Sequence, residues 1–227
     1  MAASEPEVEA ADRDGSSMLR ELRQVAEQHG SCDVAASEDQ LQALVSSLSR
    51  AAAARQEGGQ SPAPGEVSTH SSSLLVEQPA VPPSLSSLWR EGQSWHFSHG
   101  HFDVFGFNVF SPGSVKDTTV QIFGDLECRD DWLEHMRQHQ PQQPSVAGPG
   151  WLCIASLSEY DYLFCCFDSA SAHFGRVRHM VNNCCEEWAC CDDAMVLVQR
   201  LLTWHSNGAG QETLHECSPR PPPPNSR

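Results

Sequence analysis

Several stretches of the chain repeat apolar residues at the three-to-four spacing of an amphipathic helix. In Met18–His29, Leu19, Leu22, Val25 and Ala26 share one stripe, and Gly30 is the stop signal. Ser37, with Gln40 three positions on, has the form of a capping box and opens a second stripe of Leu41, Leu44, Val45 and Leu48. Pro82 and Pro83 precede a short helical pattern with Leu85, Leu88 and Trp89, ended by Gly92; proline suits a first turn because its missing N–H has no partner there anyway. Asp130–His139 predicts a further helix, N-capped by Asp130 or Asp131, with Trp132, Leu133 and Met136 inward. Asp192 or Asp193 caps the last, which carries Ala194, Leu197, Val198 and Leu201 and is stopped by Asn207-Gly208.

Strand patterns fall between these helices. Phe102–Phe110 predicts a strand or strand pair with a bend at Gly106, followed by a turn at SPGS. Trp151–Ala155 is almost wholly apolar and predicts a strand covered on both faces, as does Tyr160–Phe167. Gly175–Val181 alternates Arg176 and Arg178 with Val177, His179 and Val181, the pattern of a half-exposed strand. The expected organisation is a disordered acidic leader over 1–15, a helical pair over 16–56, a flexible linker over 57–75, an α+β domain over 76–206 and a disordered proline-rich tail over 207–227.

Charge narrows the function classes. The net charge is −16, from 30 acidic against 14 basic residues. Phosphate backbones and anionic lipid surfaces would repel such a chain, so neither nucleic acid nor membrane is an expected partner. The acidic N-terminus has no apolar run of the secretory type, and no stretch has the length of a membrane span. These features place the protein in the cytoplasm, with the nucleus also accessible, and its 10 cysteines are then expected as reduced thiols.

The order of elements resembles the SUKH superfamily, which includes the Smi/Knr cell-wall assembly regulators. A proline-led helix (VPPSLSSLWREGQ) is followed by a strand, turn and helix (GFNVFSPGSVKD). Next come a Trp-led strand and hairpin (WLCIASLSEYDYLFCCFD) and a final helix containing DDAMVLVQRLL. The resemblance spans Val76–Leu202, about half the chain, and departs from the family in having Glu91-Gly92 after the first helix and SLSEYD between the central strands. It implies an α+β fold, a mixed sheet packed with helices, used as a non-enzymatic protein-binding scaffold with no catalytic residues and no cofactor.

His96, His99 and His101 lie close together, but their spacing fits no closed zinc template, and a polar loop beside the core is the expected reading. His135 and His139 share a helical face without the glutamate of a metalloprotease motif, so a solvated helix end is expected. Cys184, Cys185, Cys190 and Cys191 lack Cys-x-x-Cys knuckles. Adjacent cysteines on a strand should face opposite ways, and the field of Glu186, Glu187, Asp192 and Asp193 should raise their thiol pKa values. These histidines and cysteines define one alternative, a zinc-binding or redox module. Cys165 or Cys166 with His179 defines another, a cysteine hydrolase. On the adaptor reading the partner is a protein with a basic surface, met by Trp95, Phe97, Asp161 and Asp168, although Asp168 equally suits a turn.

Overall fold

The computed structural model describes residues 14–57, 76–97, 107–123, 126–157, 160–182 and 185–206. The proline-rich tail, Phe102–Phe105, Gly106 and nearly all of the expected leader and linker lie outside the described residues. The helices are α1 (Gly15–His29), α2 (Glu38–Glu57), α3 (Pro83–Glu91), α4 (Val115–Phe123), α5 (Leu126–His139) and α6 (Ala194–Ser206). The strands are β1 (Gly30–Cys32), β2 (Trp95–Phe97), β3 (Phe107–Val109), β4 (Trp151–Ser156), β5 (Asp161–Cys166), β6 (Val177–Val181) and β7 (Glu186–Cys191).

The expected α+β class is what the structure shows. The strands form one sheet in the order β1-β2-β3-β4-β5-β6-β7, and every described pairing is antiparallel. A mixed sheet was expected. Neighbours in the sheet are neighbours in sequence, and the short turns joining β4 to β5, β5 to β6 and β6 to β7 can only reverse the chain.

Local signals act as the sequence predicts at several ends. Ser37 N donates to Gln40 Oε1 at 2.8 Å and Gln40 N to Ser37 Oγ at 3.3 Å, closing the capping box of α2. Asp193 Oδ1 accepts from the Met195 and Val196 amides at 2.7 and 3.0 Å, capping α6. Helix α5 instead begins at Leu126, so Asp130 and Asp131 lie inside it and cap nothing.

The sheet separates two layers. On one face Leu152, Ile154, Leu163, Cys165 and Val177 pack with buried residues of α1, α2, α3 and α6. On the other, Trp151, Cys153, Phe164, Cys166 and Met180 pack with Phe123 of α4, Trp132 and Met136 of α5, and Val146 and Ala147. The alternation along β4 and β5 accounts for both strands being buried on two sides. Strand β4 carries a bulge between Cys153 and Ala155, and the Cys153 amide, beyond the β3 pairing, donates to the buried Thr119 hydroxyl at 2.8 Å. Over β2 and β3 only the first face is apolar: Trp95, Phe97, Phe107 and Val109 point to the core, while the opposite side carries His96, Asn108 and Ser156.

The N-terminal helical pair is not a separate unit. Gly30 ends α1 and at once opens β1, which pairs with β2 through Gly30↔Phe97 and Cys32↔Trp95. Met18, Leu19, Leu22, Val25 and Ala26 of α1 and Leu41, Leu44 and Leu48 of α2 belong to the same apolar cluster as α3 and α6. Glycine is needed at position 30 because a Cβ there would stand 1.8 Å from the His96 carbonyl oxygen. The boundary expected at 57–75 therefore divides the sequence but not the core.

Strand β6 also departs from its expected half-exposed state. All of its residues are buried, including Arg178 and His179. Their polar groups are met by side chains distant in sequence. His179 Nε2 lies 2.9 Å from Asp161 Oδ1, and Arg178 reaches Glu187 and Gln143.

Candidate functional site

The aromatics proposed to meet a partner do not. Trp95 and Phe97 are 1% and 0% exposed, on the core side of β2, with Phe97 tilted against Phe107. They are core residues because their strand packs its apolar side inward under α1 and α3. Asp168 Oδ1 accepts from the Gln78 and Ala170 amides at 3.1 and 3.2 Å, a turn role. Asp161 is half-exposed and is engaged with His179.

The metal candidates are not brought together. His96 is exposed and its Nδ1 pairs with Asn108 Oδ1, whereas His99, His101 and Cys184 lie outside the described residues. His135 and His139 stack on each other, with ring centroids 4.1 Å apart, at the exposed end of α5. Among the described residues no group of three or more His, Cys, Asp or Glu side chains is placed to share a metal ion.

A cysteine nucleophile must ionise readily. Burial drives the Cys165 thiol well above the usual range and raises Cys166 as well. Cys165 Sγ donates to the Gly175 carbonyl at 3.5 Å. The cross-strand neighbour of Cys165 is Val177, while His179 stands opposite Leu163. Both thiols are packing groups of the sheet, one on each face.

The polar centre that the sequence does not announce is Glu187, which is 0% exposed. Its Oε1 accepts from Trp132 Nε1 and from Ser145 Oγ, both at 2.7 Å. Its Oε2 accepts from the Val146 amide at 2.9 Å and lies 3.4 Å from Arg178 Nε, an ion pair too poorly aligned for a hydrogen bond. Arg178 Nη2 donates to Gln143 Oε1 at 3.1 Å, and burial lowers the pKa of its guanidinium despite Glu187. One carboxylate thus joins α5, the loop after it, β6 and β7. An acidic pair at the start of a strand gives no sign of this, because Trp132, Ser145 and Val146 are all remote in sequence.

Beside this centre, at the junction of β6, β7 and α6, lies a cavity of about 300 Å³. Trp151, Val177 and Val196 supply apolar wall, Arg176, Arg178 and Arg200 supply cations, and His173 adds an imidazole. Cys190 and Cys191 also line it. A register shift between Val177 and Arg178 sets Cys191 opposite Val177 and Ala189 opposite Arg178, so Cys190 is the extra residue of a bulge. The two sulfurs, expected on opposite faces, are consequently 3.4 Å apart. Arg200 Nη1 donates to the Cys190 carbonyl at 2.8 Å. The Cys190–Cys191 hydrogen bond, with help from Arg200, lowers the Cys191 thiol pKa against burial and the Asp192 and Asp193 carboxylates. The acidic neighbours Asp192 and Asp193 raise it as expected, but at Cys191 they are outweighed. Cys185, in contrast, is exposed on the turn before β7, in the left-handed region at φ 53.

No protein-family profile matches the chain, and no curated protein matches it. Among the described residues no helix is long and apolar enough to cross a membrane.

Proposed function

We propose that the chain is a non-enzymatic protein-binding module of SUKH-like type, acting as an adaptor in the cytoplasm or nucleus, that docks a basic partner through its acidic surface. The observation that carries this reading is the outer side of the α4–α5 layer. Asp117, Asp130 and Asp131 are exposed there, and none is in an ion pair among the described residues. The exposed arginine on the same layer, Arg137, is itself paired with Glu134. Uncompensated carboxylates on rigid helices attract cationic surfaces and repel polyanions, which favours a basic protein over nucleic acid or an anionic bilayer.

Reversing charge at these positions tests the reading without disturbing the core. The double variant Asp130→Lys, Asp131→Lys is expected to keep its unfolding midpoint and to lose about tenfold or more in association with the captured partner, chiefly through a slower on-rate. Unchanged capture by a folded variant would remove this surface from the account.

A further inference from the structure

We infer that Cys190 and Cys191 form a chelating dithiol for an organic trivalent arsenic centre, seated in the cavity between β6, β7 and α6. The inference goes beyond the adaptor reading and does not depend on it. It starts from the bulge at Cys190, which sets the two sulfurs 3.4 Å apart where a regular strand would hold them on opposite faces. Both residues line the cavity, although they are otherwise buried, at 5% and 8% exposure.

The same chain supplies the contrast. Cys165 and Cys166 are also adjacent, but β5 has no extra residue there, and the two pack into opposite faces of the sheet. Cys32 and Cys153 have no cysteine next to them in sequence. The bulge is what turns an adjacent pair into a dithiol.

The sulfur separation selects the ligand. Two bonds of about 2.3 Å, the length of a zinc–thiolate bond, that meet near a right angle hold their sulfurs about 3.3 Å apart. That is the angle at a pyramidal trivalent arsenic. A tetrahedral centre such as zinc would spread the same bonds to about 3.8 Å, and a closed site of that kind asks for two further ligands. A linear two-coordinate ion would need about 4.6 Å from bonds of this length. A direct disulfide would draw the sulfurs in to about 2.05 Å. The observed 3.4 Å matches the pyramidal centre. Its third bond carries the organic group, for which the cavity of about 300 Å³ has apolar wall from Trp151, Val177 and Val196. Reagent and adduct are both uncharged, so binding does not turn on the mixed charges nearby, the arginines with Asp192 and Asp193.

The step balances without an oxidant. An organic arsenic(III) oxide gives up its oxygen, two S–H bonds break and two S–As bonds form. Both protons leave with the oxygen as one water molecule, and no atom changes oxidation state. The second S–As bond is intramolecular, so the chelate holds more tightly than a single-thiol adduct by a factor on the order of 10²–10⁴.

The full chain, reduced and freed of reductant, is mixed with one equivalent of phenylarsine oxide. Its intact mass is read before and after challenge with excess monothiol (mercaptoethanol) or dithiol (dimercaptopropanol). The expected result is one adduct that survives the monothiol and is removed by the dithiol. Alkylation of the folded protein followed by peptide mapping should show Cys190 and Cys191 protected together. Cys190→Ser and Cys191→Ser should each weaken retention against the monothiol about 100-fold or more, whereas Cys185→Ser should leave it unchanged. The wild-type mass and mapping stand even if either serine variant at the bulge fails to fold. No adduct, an adduct stripped by the monothiol, or protection that maps to Cys184 and Cys185 or to Cys165 and Cys166 would each overturn the inference.

Discussion

A chain that begins at Val76, and so lacks α1, β1 and α2, is expected to lose cooperative folding. Leu19, Leu22, Val25, Leu41, Leu44 and Leu48 are all buried in the shared cluster. Burying each such side chain contributes about 1.5–3 kcal/mol. Six of them together rival the whole stability of an ordinary domain, about 5–15 kcal/mol. The truncation also strips the outer edge of β2, removing the Gly30–Phe97 pairing and leaving an apolar strand as an open edge. Further backbone links are cut: Ala36 N donates to the Trp89 carbonyl at 2.8 Å, Gln93 N to Val34 O at 3.1 Å and Arg23 Nη1 to Glu91 O at 2.9 Å. Urea denaturation followed by tryptophan fluorescence checks this. A broad, non-cooperative change is expected, and a sigmoidal transition with the midpoint of the full chain would show that 76–206 folds alone.

Replacing Glu187 by alanine is expected to cost about 3–5 kcal/mol, because it leaves a buried guanidinium without its counter-charge. The loss has several parts. Arg178 keeps only its contact to Gln143, and the Trp132 indole N–H, the Ser145 hydroxyl and the Val146 amide lose their acceptor together. A second substitution separates the cause. If the penalty is mainly the abandoned charge, Arg178→Met in the Glu187→Ala background should restore part of the stability, since an apolar pair of similar volume avoids the desolvation cost. Equilibrium urea unfolding of the two variants reads both effects. A Glu187→Ala midpoint equal to that of the unsubstituted protein would contradict the role given to this carboxylate.

Elements whose signals are local were legible in the sequence. The stripes of α1, α2, α3 and α6, the capping box at Ser37–Gln40 and the cap at Asp193 each depend on residues within one or two helical turns. The continuous apolar run of β4 was legible because both its faces are covered. What was not legible depends on remote pairing. Trp-His-Phe at 95–97 is too short to display a period of two, so β2 does not stand out. Arg178 and His179 made β6 look half-exposed, because Glu187 and Asp161 meet their polar groups only once the chain is folded. The bulge at Cys190 is a property of register between β6 and β7, and no reading of CCEEWACC alone brings its two sulfurs together. The joining of α1 and β1 to the rest depends on Gly30 fitting beneath the His96 carbonyl, a contact made across the whole α2–α3 segment.

The central functional claim is recognition of a basic protein by an acidic surface. Affinity capture of the full chain from cell lysate at low and at high salt addresses it most directly, with the captured proteins identified and their charge compared. The account predicts a dominant protein partner with a basic surface, retained at low salt and released as screening rises. A dominant partner that is acidic, or one held equally at both salt concentrations, would contradict it.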